Sequence, residues 1–327
     1  MATSNFNTAW KQDLYPMIDK TFEYKVEQFQ NVLKLVLGEE DDQSIDYRIS
    51  EGGGFGEIPD YDGGANLKTL NQKRGFVKIM TQAQKAGAID IERFYAITDK
   101  SGEAKKAGTR AAYSLNMTVY LMMLRMFGGA WSTTIGGDGV AWANASHPVA
   151  SKGDANGTNT ADPDAGTFSN IITQGSTTNP VLSVAAITAA QTAANRLVTP
   201  DGLPCAVDFE GNGLLLVSPE LAPKAKELCG DKGRMIPNNL PETAENGANP
   251  IYGLQYVVMG GGAEGFSAKQ WAIADKTMLP EVAKIVYAQR PTTLRADLDN
   301  PLIARIVPYM VAAAGQNSAR CIFFSNP

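Results

Sequence analysis

The sequence predicts an α+β fold, and three observations carry that expectation. Residues 44–49, SIDYRI, and the stretch 75–81 alternate side chains on either side of a glycine-rich segment, as two half-buried strands do. Ala107, Ala111, Leu115, Val119, Met122 and Met126 recur at spacings of three and four, the stripe of one long helix. Beyond residue 182 helix and strand signals take turns through LSVAAITAAQTAANRLV, LLLV, SPELAPKAKELCG, LQYVVM and QWAIAD.

The totals bound the function classes. A chain of 327 residues, 44% hydrophobic and 19% charged, can bury a sizeable core in one large domain or in two to three lobes. A net charge of -5 and a pI near 5.1 provide no general pull toward nucleic acid or anionic membrane. The most apolar stretch, Leu115 to Phe127, carries Asn116 and Arg125 and falls short of the roughly 20 apolar residues of a membrane span. The opening MATSNFNTAW lacks the basic and apolar regions of a secretory signal. Cys205, Cys229 and Cys321 form no CxxC pair, so buried thiols are expected rather than a zinc site or a disulfide framework.

In chain order, residues 17–37 read as a helix, with Phe22, Val26, Phe29 and Leu33 at helical spacing and Gly38 as its stop. The acidic run EEDD (39–42) would sit at a helix C-terminus, where negative charge is unfavourable, and is expected to be a solvated loop. Ile45, Tyr47 and Ile49 then share one strand face. The segment SEGGGFGEIPDYDGG (50–64) holds six glycines, and the chain resumes in extended form with Phe76, Lys78 and Met80 opposite Val77, Ile79 and Thr81. This is a long hairpin with a bent glycine-rich end, its turn marked by Pro59 and Asp62-Gly63. Such a two-stranded ribbon is marginal by itself in water and needs another surface to lie on.

The long helix is expected from Glu103 to Phe127, about 37 Å at 1.5 Å per residue, capped by Ser101 and ended by Gly128-Gly129. Its methionines (Met117, Met122, Met123, Met126) are assigned to core packing. Residues 128–180 read as surface loop, and DANGTNTADPD (154–164) lacks the ligand spacing of a calcium loop. Ser183 and Ser218 are candidate helix caps, LLLV a short buried strand, and PLIARIVPYMVAAAGQNSARCIFF two or three further strands.

Signals for chemistry are weak. The one histidine, His147 in NASHPVAS, lacks a recognisable nucleophile context. Gly260 to Gly265 match G-x-G-x-x-G after a strand, yet no helix starts there to receive a pyrophosphate. The glycine-rich segment has no G-K-[ST] and no following helix. The pair Asp60 and Asp62 could serve a hydrolase only at a separation that sequence does not measure. No catalytic, cofactor or metal residue is assigned. An enzyme reading would rest on Gly260 and His147.

The order of elements is more specific than any one of them. QKRGFVKIMTQAQKAGAIDIERFYAITDKSGEAKKAGTRAAYSLN, then NASHPVAS, then the helix–turn–strand–helix run from 182 to 229, resembles the major capsid proteins of tailed bacteriophages, the Hong Kong phage-type capsid fold. The resemblance covers roughly residues 15–327. It implies an N-terminal arm at 1–43, an extended loop at 44–86, and a peripheral domain at 87–179 with its spine helix at 103–128. It also implies an axial domain at 180–288 and C-terminal strands at 289–327 returning to the peripheral domain.

By the same resemblance, subunits would form pentamers and hexamers of a shell around double-stranded DNA. The extended loop would contact a neighbour through Gly52, Gly53, Gly54, Phe55, Pro59 and Tyr61. Expected partners are the chain itself, a separate scaffolding protein, a portal protein, a decoration protein and weakly held packaged DNA, with no membrane. The location would be the virion, after assembly in the bacterial cytoplasm. Some members of that family join a loop lysine to a neighbour's asparagine; Lys68, Lys73 and Lys78 are candidates by region, with no promoting carboxylate assigned. An encapsulin-type compartment shell is the alternative with the same fold.

Overall fold

The computed structural model describes residues 14–20, 30–51, 56–61, 67, 69–70, 75–98, 102, 106–152, 160–230, 251, 253–260, 262–296 and 302–327. They fall into two compact units. One comprises Met1–Tyr47, Met80–Met123 and Lys284–Ala314; the other Arg48–Ile79, Leu124–Ala283 and Gly315–Pro327.

The first unit is built on a five-stranded sheet. Its spine is a pair of 14-residue strands, Ala283–Ala296 and Ile303–Gln316. Along Ile303–Gln316 run two short antiparallel strands end to end: Ile89–Glu92 pairs with its first part and Ala83–Ala86 with its second. At the other edge Gly38–Asp41 pairs in parallel with Ala283–Ala296.

That last pairing corrects the expectation of a solvated acidic loop, because EEDD enters a strand. Its carboxylates are matched by cations on the neighbouring strand: Arg290 reaches Glu39 at 3.0 Å and Asp41 at 2.8 Å, and Lys284 reaches Glu40 at 2.9 Å. Opposite charges across adjacent strands remove the repulsion that would otherwise expel the run. Glu40 is held below the usual carboxylate range, first by the Tyr47 hydroxyl and then by Lys284. Burial, with Glu40 alongside, pushes Tyr47 up to about 12.

The expected helix at 17–37 is seen as helical residues 14–20 and a helix at Gln30–Val36; Phe22, Val26 and Phe29 lie outside the described residues. Leu14, Tyr15 and Ile18 join Ile91, Ala107, Ala304 and Ile306 in one apolar cluster. The long helix runs Ala107–Gly128, and Ser101 lies outside the description. Of the four methionines assigned to core packing, Met123 and Met126 are buried and Met117 and Met122 are half-buried. At Gly108 a Cβ would stand 2.5 Å from the Ile18 carbonyl oxygen, so backbone touches backbone there and no side chain fits.

The second unit holds a four-stranded sheet in the order Gln255–Val258, Gly213–Val217, Trp271–Asp275, Ile322–Ser325. The first pair is parallel and the other two antiparallel. GLLLV and WAIAD are buried at every position, which is why they read as apolar runs, closed in the second by Asp275, rather than as alternations. Helices Val184–Ala194 and Ala222–Gly230 share a core with Leu215, Val217, Trp271, Ile273 and Phe323. Ser183 caps its helix, its Oγ accepting from Ala186 N at 3.2 Å. Ser218 does not: its hydroxyl donates to the Ala268 carbonyl at 3.0 Å, and a single 3-10 turn, Pro219–Leu221, precedes the helix.

Residues 128–180 were expected at the surface, and part of them is core. Trp142, Asn170 and Ile172 are fully buried. The Trp142 ring lies 4.9 Å from Phe127 and 5.3 Å from Phe324, and its Nε1 donates to the Ser318 carbonyl at 3.1 Å. A polar composition hid a few large apolar anchors.

Ala83–Ala86 pairs within the five-stranded sheet, residues 124–179 group with 180–283 in the second unit, and Ile322–Ser325 closes that unit's sheet.

Candidate functional site

The glycine-rich segment and the ribbon that carries it are the candidate site. The ribbon pairs Asp46–Ser50 with Val77–Thr81. Ile49, Phe76 and Met80 are buried, while Ile45 and Ile79 are 75% and 50% exposed. The strand period explains the contrast of Phe76 and Met80 with Ile79, whereas Ile45 is on the same side as Ile49 but precedes the strand Asp46–Ser50 and is left bare.

Within the first unit, Gln82 fixes the ribbon's return. Its Nε2 donates to the carbonyls of Asp42 at 2.7 Å and Ser44 at 2.8 Å, and its Oε1 accepts from Ala288 N at 2.6 Å. One buried amide thus satisfies three backbone groups from two segments.

Within the second unit, Glu51 fixes the root of the segment. Its amide donates to the Phe76 carbonyl at 2.8 Å. Its carboxylate accepts from Ser318 Oγ at 2.7 Å and from the Arg320 guanidinium. Arg320 also donates to the carbonyls of Val149 at 2.6 Å and Val198 at 3.1 Å. Side-chain exposures of 6% for Arg320 and 11% for Glu51 make this a buried, multiply bonded pair, in which removing one partner strands the other charge. Gly75 is required beside it, since a Cβ there would lie 2.3 Å from the Glu51 carbonyl oxygen.

Beyond the root, several apolar side chains are bare, beside the exposed Glu57, Asp60 and Thr69. Ile58 is 78% exposed, Tyr61 59%, Leu67 81% and Leu70 36%. Bare apolar side chains of this size among the described residues make Ile58, Tyr61, Leu67 and Leu70 a candidate interaction surface. Pro59 is half-buried and Tyr61 exposed. Gly52, Gly53, Gly54 and Phe55 lie outside the described residues, as do Lys68 and Lys73. Lys78 is a half-buried residue of the ribbon strand Val77–Thr81.

The residues that an enzyme reading would use are otherwise engaged. His147 is 1% exposed; Nδ1 lies 2.6 Å from Asp138 Oδ2 and Nε2 3.2 Å from the Trp142 carbonyl oxygen. Both ring nitrogens are taken, leaving none for a substrate proton. After the strand Gln255–Val258, residues 262–264 form a 3-10 turn, and Glu264 pairs with Arg125 at 2.9 Å; no helix opens to hold a pyrophosphate. Burial raises all three thiols, Cys229 to about 11, so none is a ready nucleophile. Among the described residues no cluster of His, Cys, Asp and Glu could hold a metal ion, and no helix is long and apolar enough to cross a membrane.

The sequence pointed to the glycine-rich segment but missed what roots it. Glu51 and Arg320 are 269 positions apart. The signals were a lone acid between a strand and glycines, and a lone arginine inside the apolar run ARCIFF.

No family model and no curated protein matches this sequence. Solved structures do. The chain is similar to the capsid protein of Ralstonia phage GP4, with 11% identity and a TM-score of 0.54 over 89% of this chain and 87% of that one. It also matches the bacteriophage PhiM1 mature capsid (16% identity, TM-score 0.49, 88% and 84%) and the capsid of the empty GTA particle (10%, 0.49, 89% and 88%). The fold assignment rests on the GP4 capsid, whose match spans both units. The chain has the Hong Kong phage-type capsid fold of tailed-phage shells.

Proposed function

We propose that this chain is a major capsid protein. Its copies gather as pentamers and hexamers into an icosahedral shell around double-stranded DNA, and it has no catalytic task. The observation that carries this reading is the fold shared with the GP4 capsid across nearly the whole of both chains. The bare apolar side chains of the glycine-rich segment agree with it, since a shell subunit must hold back an apolar surface for its neighbour. In this reading residues 52–61 contact the adjacent subunit, and the regions are an arm, an extended loop, a peripheral domain and an axial domain. Scaffolding, portal and decoration proteins are the further partners, and the mature location is the virion.

The test is particle size. Light scattering and negative-stain imaging of the purified chain, with and without a co-expressed scaffold, should reveal closed shells, tubes or hexamer-sized capsomers. A monomer or dimer under every condition overturns the reading. Shells loaded with a cargo enzyme rather than DNA would replace the phage head with a compartment.

A further inference from the structure

The second unit contains a series of groups, buried at His147 and Arg320 and half-buried at Asp138 and Phe168, that ends at the root of the glycine-rich segment. Asp138 Oδ2 lies 2.6 Å from His147 Nδ1. The His147 ring stacks on Phe168 at 5.1 Å, with 24° between planes. The same Phe168 ring carries the Arg320 guanidinium 4.6 Å from its centroid, and Arg320 grips Glu51. His147 and Phe168 are also directly paired across two short antiparallel strands. The chain's one histidine therefore shares a platform with the arginine that holds the segment's root.

The hydrogen-bond partners of His147 are both acceptors. Asp138 offers a carboxylate oxygen to Nδ1. The Trp142 carbonyl, already accepting from Asn170 Nδ2 at 2.6 Å, lies opposite Nε2. Satisfying both needs an N–H on each nitrogen, which only the imidazolium has. A neutral ring faces one of these oxygens with a lone pair and must shift or turn. Asp138 is the charged group that meets the ring. Arg320 and Glu51 lie beyond Phe168, with Cys205 within electrostatic reach of both and Cys321 within reach of Glu51.

We propose that His147 is a pH-sensitive anchor for the root of the glycine-rich segment. In its protonated form it seats Phe168, Phe168 seats Arg320, and Arg320 holds Glu51 against the ribbon. On deprotonation the proton leaves to water on the Asp138 side, where that carboxylate is 12% exposed. One ring hydrogen bond is then lost, and the platform under Arg320 loosens. Anchoring of the root is a property of the single chain and does not depend on what the segment docks against.

Hydrogen exchange read by mass spectrometry on the full-length chain tests this, using peptides across 48–51 and 75–79. After correction for intrinsic exchange, protection at the root should fall roughly tenfold between about pH 5 and about pH 9, the scale of one charge-assisted hydrogen bond. Protection in the sheet strand Gly213–Val217 should stay constant. His147→Gln, which keeps a donor but does not titrate, should abolish the pH dependence at the root. Root protection independent of pH in the unaltered chain, or a pH dependence that survives in His147→Gln, overturns the proposal. Should that variant fail to fold, the ring 15N signals of the lone histidine in the unaltered chain decide. Their titration midpoint must coincide with that of the exchange change, and separate midpoints overturn the proposal.

Discussion

Replacing Ile58 and Leu67 together by serine should cripple assembly while leaving the subunit intact. In the isolated chain these side chains are 78% and 81% exposed, so their loss costs the fold almost nothing; surface changes of this kind fall within about 0.5 kcal/mol. In a shell they would be covered by a neighbour. Burying one such side chain is worth about 1.5–3 kcal/mol, so the pair removes about 4 kcal/mol from each subunit contact. At about 1.4 kcal/mol per tenfold, the critical concentration for assembly rises by about three orders of magnitude. The assay is light scattering against protein concentration, with a thermal melt of the unassembled chain as control. An unchanged critical concentration would refute the reasoning. So would a melting point that falls in step with assembly, since the side chains would then be part of the subunit's own core.

Three other outcomes follow from the same geometry. Deleting residues 52–64 should leave a folded chain, by circular dichroism and gel filtration, that builds no closed shell; normal shells from the deletion would remove the segment from the interface. Gly108→Ala should lower stability by about 1–3 kcal/mol through overpacking, although alanine is the better helix former by about 1 kcal/mol. The 2.5 Å approach to the Ile18 carbonyl decides the sign, and a raised melting point would show that the two helices separate easily. The Cys229 thiol, raised by burial from 9.0 to about 11, favours the neutral form in the folded state. Its contribution is complete below about pH 9 and is lost as pH rises toward about 11. Alkaline unfolding should therefore begin in that window and be less steep in Cys229→Ala; identical profiles would refute the assignment.

What could be read from sequence was whatever depends on near neighbours. The alternation around Ile49, Phe76 and Met80, the stripe of the long helix and the apolar runs LLLV and WAIAD are local patterns, and each appears as a strand or helix of the expected kind. The misreadings share another cause. EEDD became a strand because Arg290 and Lys284 arrive from about 250 residues away. Ser218 left its cap for a carbonyl 50 residues on. Trp142 lies in a polar stretch whose composition points outward, while Phe127 and Phe324 draw the ring inward. The candidate site divides the same way. The glycines and Tyr61 are local features singled out on the sequence, Ile58, Leu67 and Leu70 were not, and the root at Glu51, Ser318 and Arg320 exists only once distant segments have met.

The order in which the second unit's sheet is completed has a consequence for synthesis. Its buried strand Trp271–Asp275 lies between Gly213–Val217 and Ile322–Ser325, and the last of these is translated 46 residues after the strand it covers. Until it arrives, a largely apolar edge with open backbone groups is available to any other nascent chain, the situation in which strands pair wrongly. Arg320, which secures Glu51, emerges from the ribosome in the same stretch. The carboxylate of Glu51 thus lacks its guanidinium partner until Arg320 has emerged. A chain halted after residue 275 would therefore present an aggregation-prone edge.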